Sequence, residues 1–179
     1  SPNCSGDGSI TVDDTVAHSG ENSVRVEGSG GYCNHVFLAP TVDVGELAPV
    51  WYGRFYVRFE QALGMEHVTF LAMKDQVQDR DLRMGGQSGI FMWNRELDDA
   101  TLPELSPTGI GLSTAPVAGE WTCVEFAVDG PEGTIHTWVD GDLIPGLVVD
   151  GAATPDVDSQ WLNRAGWSPQ LVDARFGWE

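Results

Sequence analysis

No stretch of ten or more residues in this chain carries an i, i+3, i+4 apolar stripe, so long amphipathic helices are excluded. Its apolar residues instead fall in short runs: residues 9–12, 22–28, 34–39, 51–60, 67–73, 89–94, 121–129, 134–141 and 171–178. Most of the 22 glycines and 10 prolines lie between those runs. Short strands joined by Gly/Pro turns point to an all-β fold, an antiparallel β-sandwich or barrel. A jelly roll with a concave groove is the expected form. In "WYGRFYVRFE" the alternation places Trp51, Phe55, Val57 and Phe59 on one face. "TIHTWVDGDL" reads as a hairpin turning at Asp140-Gly141, with His136 and Trp138 opposite Ile135, Thr137 and Val139. Residues 1–179 are expected to form a single domain, with no repeat or linker.

Charge narrows the function. Twenty-seven acidic against nine basic side chains leave a formal net charge of −18. Nucleic acid and anionic membrane surfaces both require clustered Lys and Arg, so neither is an expected partner. A polyanionic substrate is repelled at long range unless a local cleft gathers the few cations. No apolar run approaches membrane-spanning length and none reads as a signal peptide; either the chain is cytosolic or a leader has been removed. Of three cysteines, Cys4 and Cys33 sit in Gly/Ser/Asn-rich surroundings that suit a disulfide. Such a bridge would close a loop of about 30 residues, contribute roughly 3–4 kcal/mol and imply an oxidising compartment. Cys123, alternating within "WTCVEFAV", has no evident partner and reads as a core thiol. A monomer is expected.

Eight segments, in order along the chain, carry a family resemblance: "TVAHSGENSVRV", "GYCNHVF", "EHVTFLAM", "LRMGGQSG", "WNRELDDATLPELSPTGI", "WTCVEF", "TIHTWVDGDLIPGL" and "FGWE". Together they resemble the cellulose-induced secreted proteins of filamentous fungi and their actinobacterial relatives, jelly-roll proteins related in fold to glucuronan and alginate lyases. The resemblance implies a secreted, extracellular protein that takes a polysaccharide. It also implies a structural calcium using Ser19 and Asn22 of the "HSGENS" loop, with acidic ligands from terminal strands that this chain is expected to lack. By the same resemblance, Cys123 is half of a disulfide whose partner lies beyond Glu179, and a tyrosine proton donor follows "GWE".

Relatives with lyase activity cleave uronic-acid polymers by β-elimination. That reaction needs a neutralised sugar carboxylate, a base for the adjacent proton and an acid for the departing oxygen. "RMGGQSGIFMWNRELDD", residues 83–99, is the most polar-crowded stretch and matches the family's cleft. Arg83 is the carboxylate neutraliser, since a guanidinium makes paired hydrogen bonds to a carboxylate. Gln87, past a Gly85-Gly86 bend, is expected to donate to the same group. A surface ion pair for Arg83 and a turn cap for Gln87 are the competing structural readings. His67 is the base candidate because histidine titrates near neutrality; on a strand it could equally be structural. Asp99 orients a cleft donor or accepts a proton, or else caps the turn before Pro103. Asn94 and Arg95 hold that loop. Lys74, the only lysine, directly follows the strand "HVTFLAM" and is a candidate for substrate binding; composition bias alone is the competing account of its solitude.

A hydrolase needs two carboxylates across the bond. Glu96 and Asp98 would point the same way on an extended segment, and the E-x-D-x-x-E pattern they begin fails at Thr101. Hydrolysis therefore ranks below elimination. The third reading is a non-catalytic carbohydrate binder, with Trp93, Trp138 and Trp178 stacking on sugar rings.

Overall fold

The structure, a computed structural model, describes residues 8–28, 35–39, 49–164 and 166–179. Strands β1 (Ser9–Asp13) and β2 (Ser23–Glu27) pair as a small two-stranded sheet. They are followed by β3 (Val36–Leu38), β4 (Val50–Arg58), β5 (Val68–Asp75), β6 (Arg80–Gln87), β7 (Ile90–Arg95) and β8 (Ala100–Leu102). A short helix α1 (Pro107–Leu112) precedes β9 (Trp121–Asp129), β10 (Thr134–Val139) and β11 (Asp142–Leu143). Helix α2 (Ser159–Arg164) and β12 (Arg175–Trp178) complete the chain. A four-stranded sheet in the order β11-β10-β9-β4 faces a six-stranded sheet in the order β3-β12-β5-β6-β7-β8, and all pairings are antiparallel. This is the expected all-β sandwich.

Period-two burial builds the core. On β9, Thr122, Val124, Phe126 and Val128 are buried while their neighbours are half-exposed, and β10 alternates the same way through Ile135, Thr137 and Val139. Leu71, Met73, Leu82, Met84, Phe91 and Trp93 meet them from the six-stranded sheet. Trp51, Phe55, Val57 and Phe59 pack on this core from β4, as the alternation requires. Gly53 interrupts that row because the ring of Phe126 lies where its Cβ would project. Trp93 is fully buried, and its Nε1–H donates to Thr137 Oγ1 at 2.9 Å, so the indole is satisfied across the two sheets. The β10–β11 turn puts Asp140 and Gly141 both at positive φ, the geometry a two-residue hairpin demands.

Three strands escape sequence periodicity. In β6, "RDLRMGGQ", only Leu82 and Met84 are apolar; β8 and β11 have three and two residues. The expected bend at Gly85-Gly86 is absent, because β6 runs straight through both glycines. They serve close approach instead. A Cβ on Gly85 would collide with the Val68 carbonyl on β5, and one on Gly86 would meet Leu63. Cys123 is also corrected: it lies on the outward face of β9, half-exposed and free, so it is not a core thiol. Cys4 and Cys33 lie outside the described residues.

At the end of β7 the buried Arg95 makes two hydrogen bonds to Asp98, at 2.8 and 2.7 Å, donates to the Trp161 carbonyl and stacks 4.9 Å from the Trp161 ring. Only 2% of its side chain is exposed. Arg95→Ala strands Asp98 and opens a void beneath α2. A loss of about 3 kcal/mol is expected, within the range for breaking a buried pair. Urea unfolding checks it: the midpoint should fall with no change of slope.

Candidate functional site

The outer face of the six-stranded sheet is the groove. Cross-strand register sets Arg175, Ala72, Arg83, Asn94 and Thr101 side by side across β12, β5, β6, β7 and β8. Lys74 and Asp81 face each other in the next row. The small side chain of Ala72 leaves a depression between the two arginines. The groove encloses about 830 Å3, within the range of ligand sites. Four of the chain's nine Lys and Arg side chains line it (Lys74, Arg80, Arg83 and Arg175), against five carboxylates. A chain of net charge −18 has therefore gathered nearly half of its cations on one face.

Arg83 stands at the centre. Its Nη2 is 3.1 Å from Glu96 Oε1 and 3.8 Å from Glu179 Oε1, while its Nε is buried with no partner. Glu179 reaches this position because its backbone N–H and C=O both pair with Thr69 of β5, at 3.0 Å each. Its Oε1 also lies 3.3 Å from His35 Nε2. Beside this cluster, Arg175 pairs with Asp81 at 2.6 Å and Lys74 with Asp79 at 2.6 Å. Arg175 Nε is 3.0 Å from Asp173 Oδ2, but its N–H is not aimed at that oxygen and makes no hydrogen bond. Any anion entering the groove would therefore have to displace the protein's own acids from these cations.

Asn94, 1% exposed, faces the groove next to Arg83. Its Nδ2 donates to Asp99 Oδ1 at 2.8 Å, leaving Oδ1 buried and unsatisfied. That orphan acceptor suits a hydroxyl donor, since a buried acceptor without a partner is costly. Asp99 has φ +56°, a left-handed conformation that an aspartate tolerates. His67, just before β5, feels Asp99, Arg83 and Glu179 electrostatically. Although exposed overall, its ring has enough protein around it that desolvation holds its pKa below the usual histidine value. Asp99 and Glu179 oppose that shift and Arg83 reinforces it. Desolvation thus favours the neutral imidazole, the form that accepts a proton.

This constellation can be compared with known proteins. A model of the polysaccharide lyase-like family, described as the Cip1-like core domain, matches residues 1–179. A solved structure of "Cellulose induced protein, Cip1" is 44% identical, with 99% of this chain and 80% of that one covered and a TM-score of 0.87. The chain belongs to the Cip1-like family. A crystal structure of an endo-β-1,4-glucuronan lyase from the fungus Trichoderma reesei is 13% identical, covering 96% of this chain and 75% of that one, with a TM-score of 0.48. No curated protein matches the chain.

Within this Cip1-like domain the structure brings His67, Arg83, Asn94 and Asp99 together and adds Glu179 and His35, which the sequence reading missed. Other expected residues fall elsewhere. Gln87 shares the face of Arg83, but four residues of straight strand separate their Cα atoms by roughly 13 Å. Only long side chains reaching toward each other could bring the two to one group, since no bend does so. Lys74 does line the groove, half-exposed and paired to Asp79. Trp138 points out of the four-stranded sheet beside His136, on the opposite side of the sandwich from the groove. Trp178 shares the inner face of β12 with Phe176 and packs on the core, so it offers no stacking surface to the groove. Trp93 is core.

Glu96 and Asp98 do not point the same way: a turn sends Glu96 to Arg83 and Asp98 to Arg95. Ser19 and Asn22 occupy an exposed bend around Gly20 at φ +71°. No group of three or more His, Cys, Asp or Glu able to hold a metal occurs among the described residues. Calcium takes six to eight oxygens, so these two neutral side chains do not by themselves fit it.

The His67 environment has a direct check in an NMR titration of its imidazole. The midpoint should fall below the usual value near 6.5. Asp99→Asn removes a favourable charge and lowers it further; Arg83→Gln removes a repulsive one and raises it.

Proposed function

We propose that this domain is an extracellular polysaccharide lyase that cleaves a uronic-acid polymer by β-elimination. The observation that carries the reading is Arg83: a groove-lining guanidinium whose Nε has no partner, beside a histidine whose pKa desolvation lowers. Arg83 receives the sugar carboxylate and stabilises the charge that develops when its neighbouring proton leaves. His67 takes that proton. Asn94 fixes Asp99 and accepts a sugar hydroxyl, and Gln87 contacts the next sugar along. The family description, polysaccharide lyase-like, is consistent with this assignment.

One observation favours a second reading, a non-catalytic binder. Arg83, Arg175 and Lys74 are each already matched by the domain's own carboxylates. A neutral cellulosic chain would meet no electrostatic penalty in such a groove.

Absorbance of unsaturated uronate products after incubation with several polyuronates separates the two. Product from at least one is expected, and Arg83→Ala should lower its rate by about 100-fold or more, the scale set by loss of one charge-stabilising donor. Absence of product from every polyuronate, together with pull-down by insoluble cellulose, would establish the binder.

Ionic strength gives an independent check. Enzyme and polyuronate are both strongly acidic, so shortening the Debye length from about 30 to about 8 Å, by going from about 0.01 to about 0.15 M salt, should raise kcat/KM. A steep fall instead would mean that attraction steers binding.

A further inference from the structure

One guanidinium reads one sugar, yet the groove holds a second in the same row. We propose that Arg175 is a second carboxylate-binding residue, so that the groove selects a run of uronates over an isolated acidic sugar; this rests on the reading above of Arg83 as the receiver of a uronate carboxylate. Arg83 and Arg175 stand in one cross-strand row, on β6 and β12, with Ala72 of β5 between them. Both line the groove. Their Cα atoms are two strand spacings apart, roughly 10 Å. A sugar chain laid across the strands therefore passes one guanidinium, the depression over Ala72 and then the other.

The two arginines are held in the same manner. Arg83 is anchored through Nη2 to Glu96 at 3.1 Å, and Arg175 through Nη2 to Asp81 at 2.6 Å. In both, Nε is buried without a hydrogen bond, and Nη1 makes no hydrogen bond or ion pair with the described residues. Each side chain keeps part of its surface open, 19% for Arg83 and 26% for Arg175. A carboxylate arriving at either one displaces the acid already there, one ligand acid for one domain acid. The anchoring acids are themselves joined. Glu96 accepts from the Asp81 backbone N–H at 2.8 Å and donates its own N–H to the Asp81 carbonyl at 3.0 Å. That link ties the two guanidinium sites to one short piece of backbone.

The rest of the row is uncharged, because Asn94 and Thr101 follow Arg83 toward the β8 edge. Charge is therefore read on one side of Arg83 and not on the other. Lys74 does not repeat the pattern: it stands one row along β5, and its ammonium is held 2.6 Å from Asp79. Two acids of one chain that meet two fixed guanidinium groups reinforce each other. Once the first is seated, the second is presented at high local concentration and costs little further translational freedom. An acidic sugar flanked by neutral ones lacks that second gain.

Equilibrium binding of two non-cleavable trisaccharides tests the assignment. One carries three uronate carboxylates; the other keeps only the central carboxylate, its outer two reduced to alcohols. Wild-type protein should bind the triacid about 10-fold or more tighter than the monoacid, the scale of one added hydrogen bond to a charged group. Arg175→Gln should bring the two affinities to within about 3-fold of each other, and surviving monoacid binding shows that it is folded. Asp81→Asn removes the acid that competes for Arg175 and should widen the preference for the triacid. If the Arg175–Asp81 pair served only to staple β12 to β6, that change would leave the preference as it is or narrow it. No preference in wild-type protein, a preference that Arg175→Gln preserves, or one that Asp81→Asn fails to widen overturns the assignment. Turnover of a polyuronate is scored separately. Product without a triacid preference overturns the Arg175 site alone, whereas the preference without product overturns elimination and leaves the site standing.

Discussion

The ion pairing of Arg83 is the interaction on which the rest of the site depends. One guanidinium is shared between Glu96, arriving from the turn after β7, and Glu179, arriving beyond β12. These acids come from elements remote in sequence, so the pairing reports that β12, β5, β6 and β7 are in correct register. It also sets the chemistry. The guanidinium is held in place by Nη2, while its buried Nε is left without a partner. Five carboxylates face four Lys and Arg side chains in the groove, so it carries no net cationic field.

The sandwich beneath is built to keep that face rigid. Trp93 and Asn94 are neighbours on β7 with opposite duties. The indole locks β7 to β10 through Thr137, and the amide holds Asp99 at the groove edge. The next residue, Arg95, secures the following turn through Asp98 and Trp161, which sends Glu96 outward to Arg83. Three consecutive side chains thus couple core packing, loop conformation and site geometry. Gly85 and Gly86 add to this by letting β5 and Leu63 close onto β6.

Much of this was legible in the residues, for reasons that also explain the failures. The strict alternation of β4, β9 and β10 declared both the strands and their buried faces. β6 did not declare itself, because a strand with a polar outer face and two glycines has too few apolar residues to show a period. His67, Arg83, Asn94 and Asp99 were singled out through motif resemblance, and the fold places them near one another. The bend at Gly85-Gly86 was misread because two adjacent glycines signal a turn as readily as a close approach of strands. Trp138 and Trp178 were chosen for their chemistry, although alternation in "ARFGWE" already sets Trp178 with Phe176 and leaves Arg175 and Glu179 on the other face. Glu179 could have been suspected from that pattern; His35 lies outside it. The meeting of Glu179 with both His35 and Arg83 depends on the neighbour order β3-β12-β5, which no local pattern encodes.

The central claim is that Arg83 receives a sugar carboxylate in this groove. A structure with a non-cleavable oligouronate bound tests it most directly. The account predicts a uronate carboxylate within hydrogen-bonding distance of Arg83 Nε, with Glu96 or Glu179 drawn off the guanidinium and His67 beside the adjacent carbon. An oligosaccharide bound with its carboxylates turned to solvent, or seated on the outer face of the four-stranded sheet near Trp138, would contradict it.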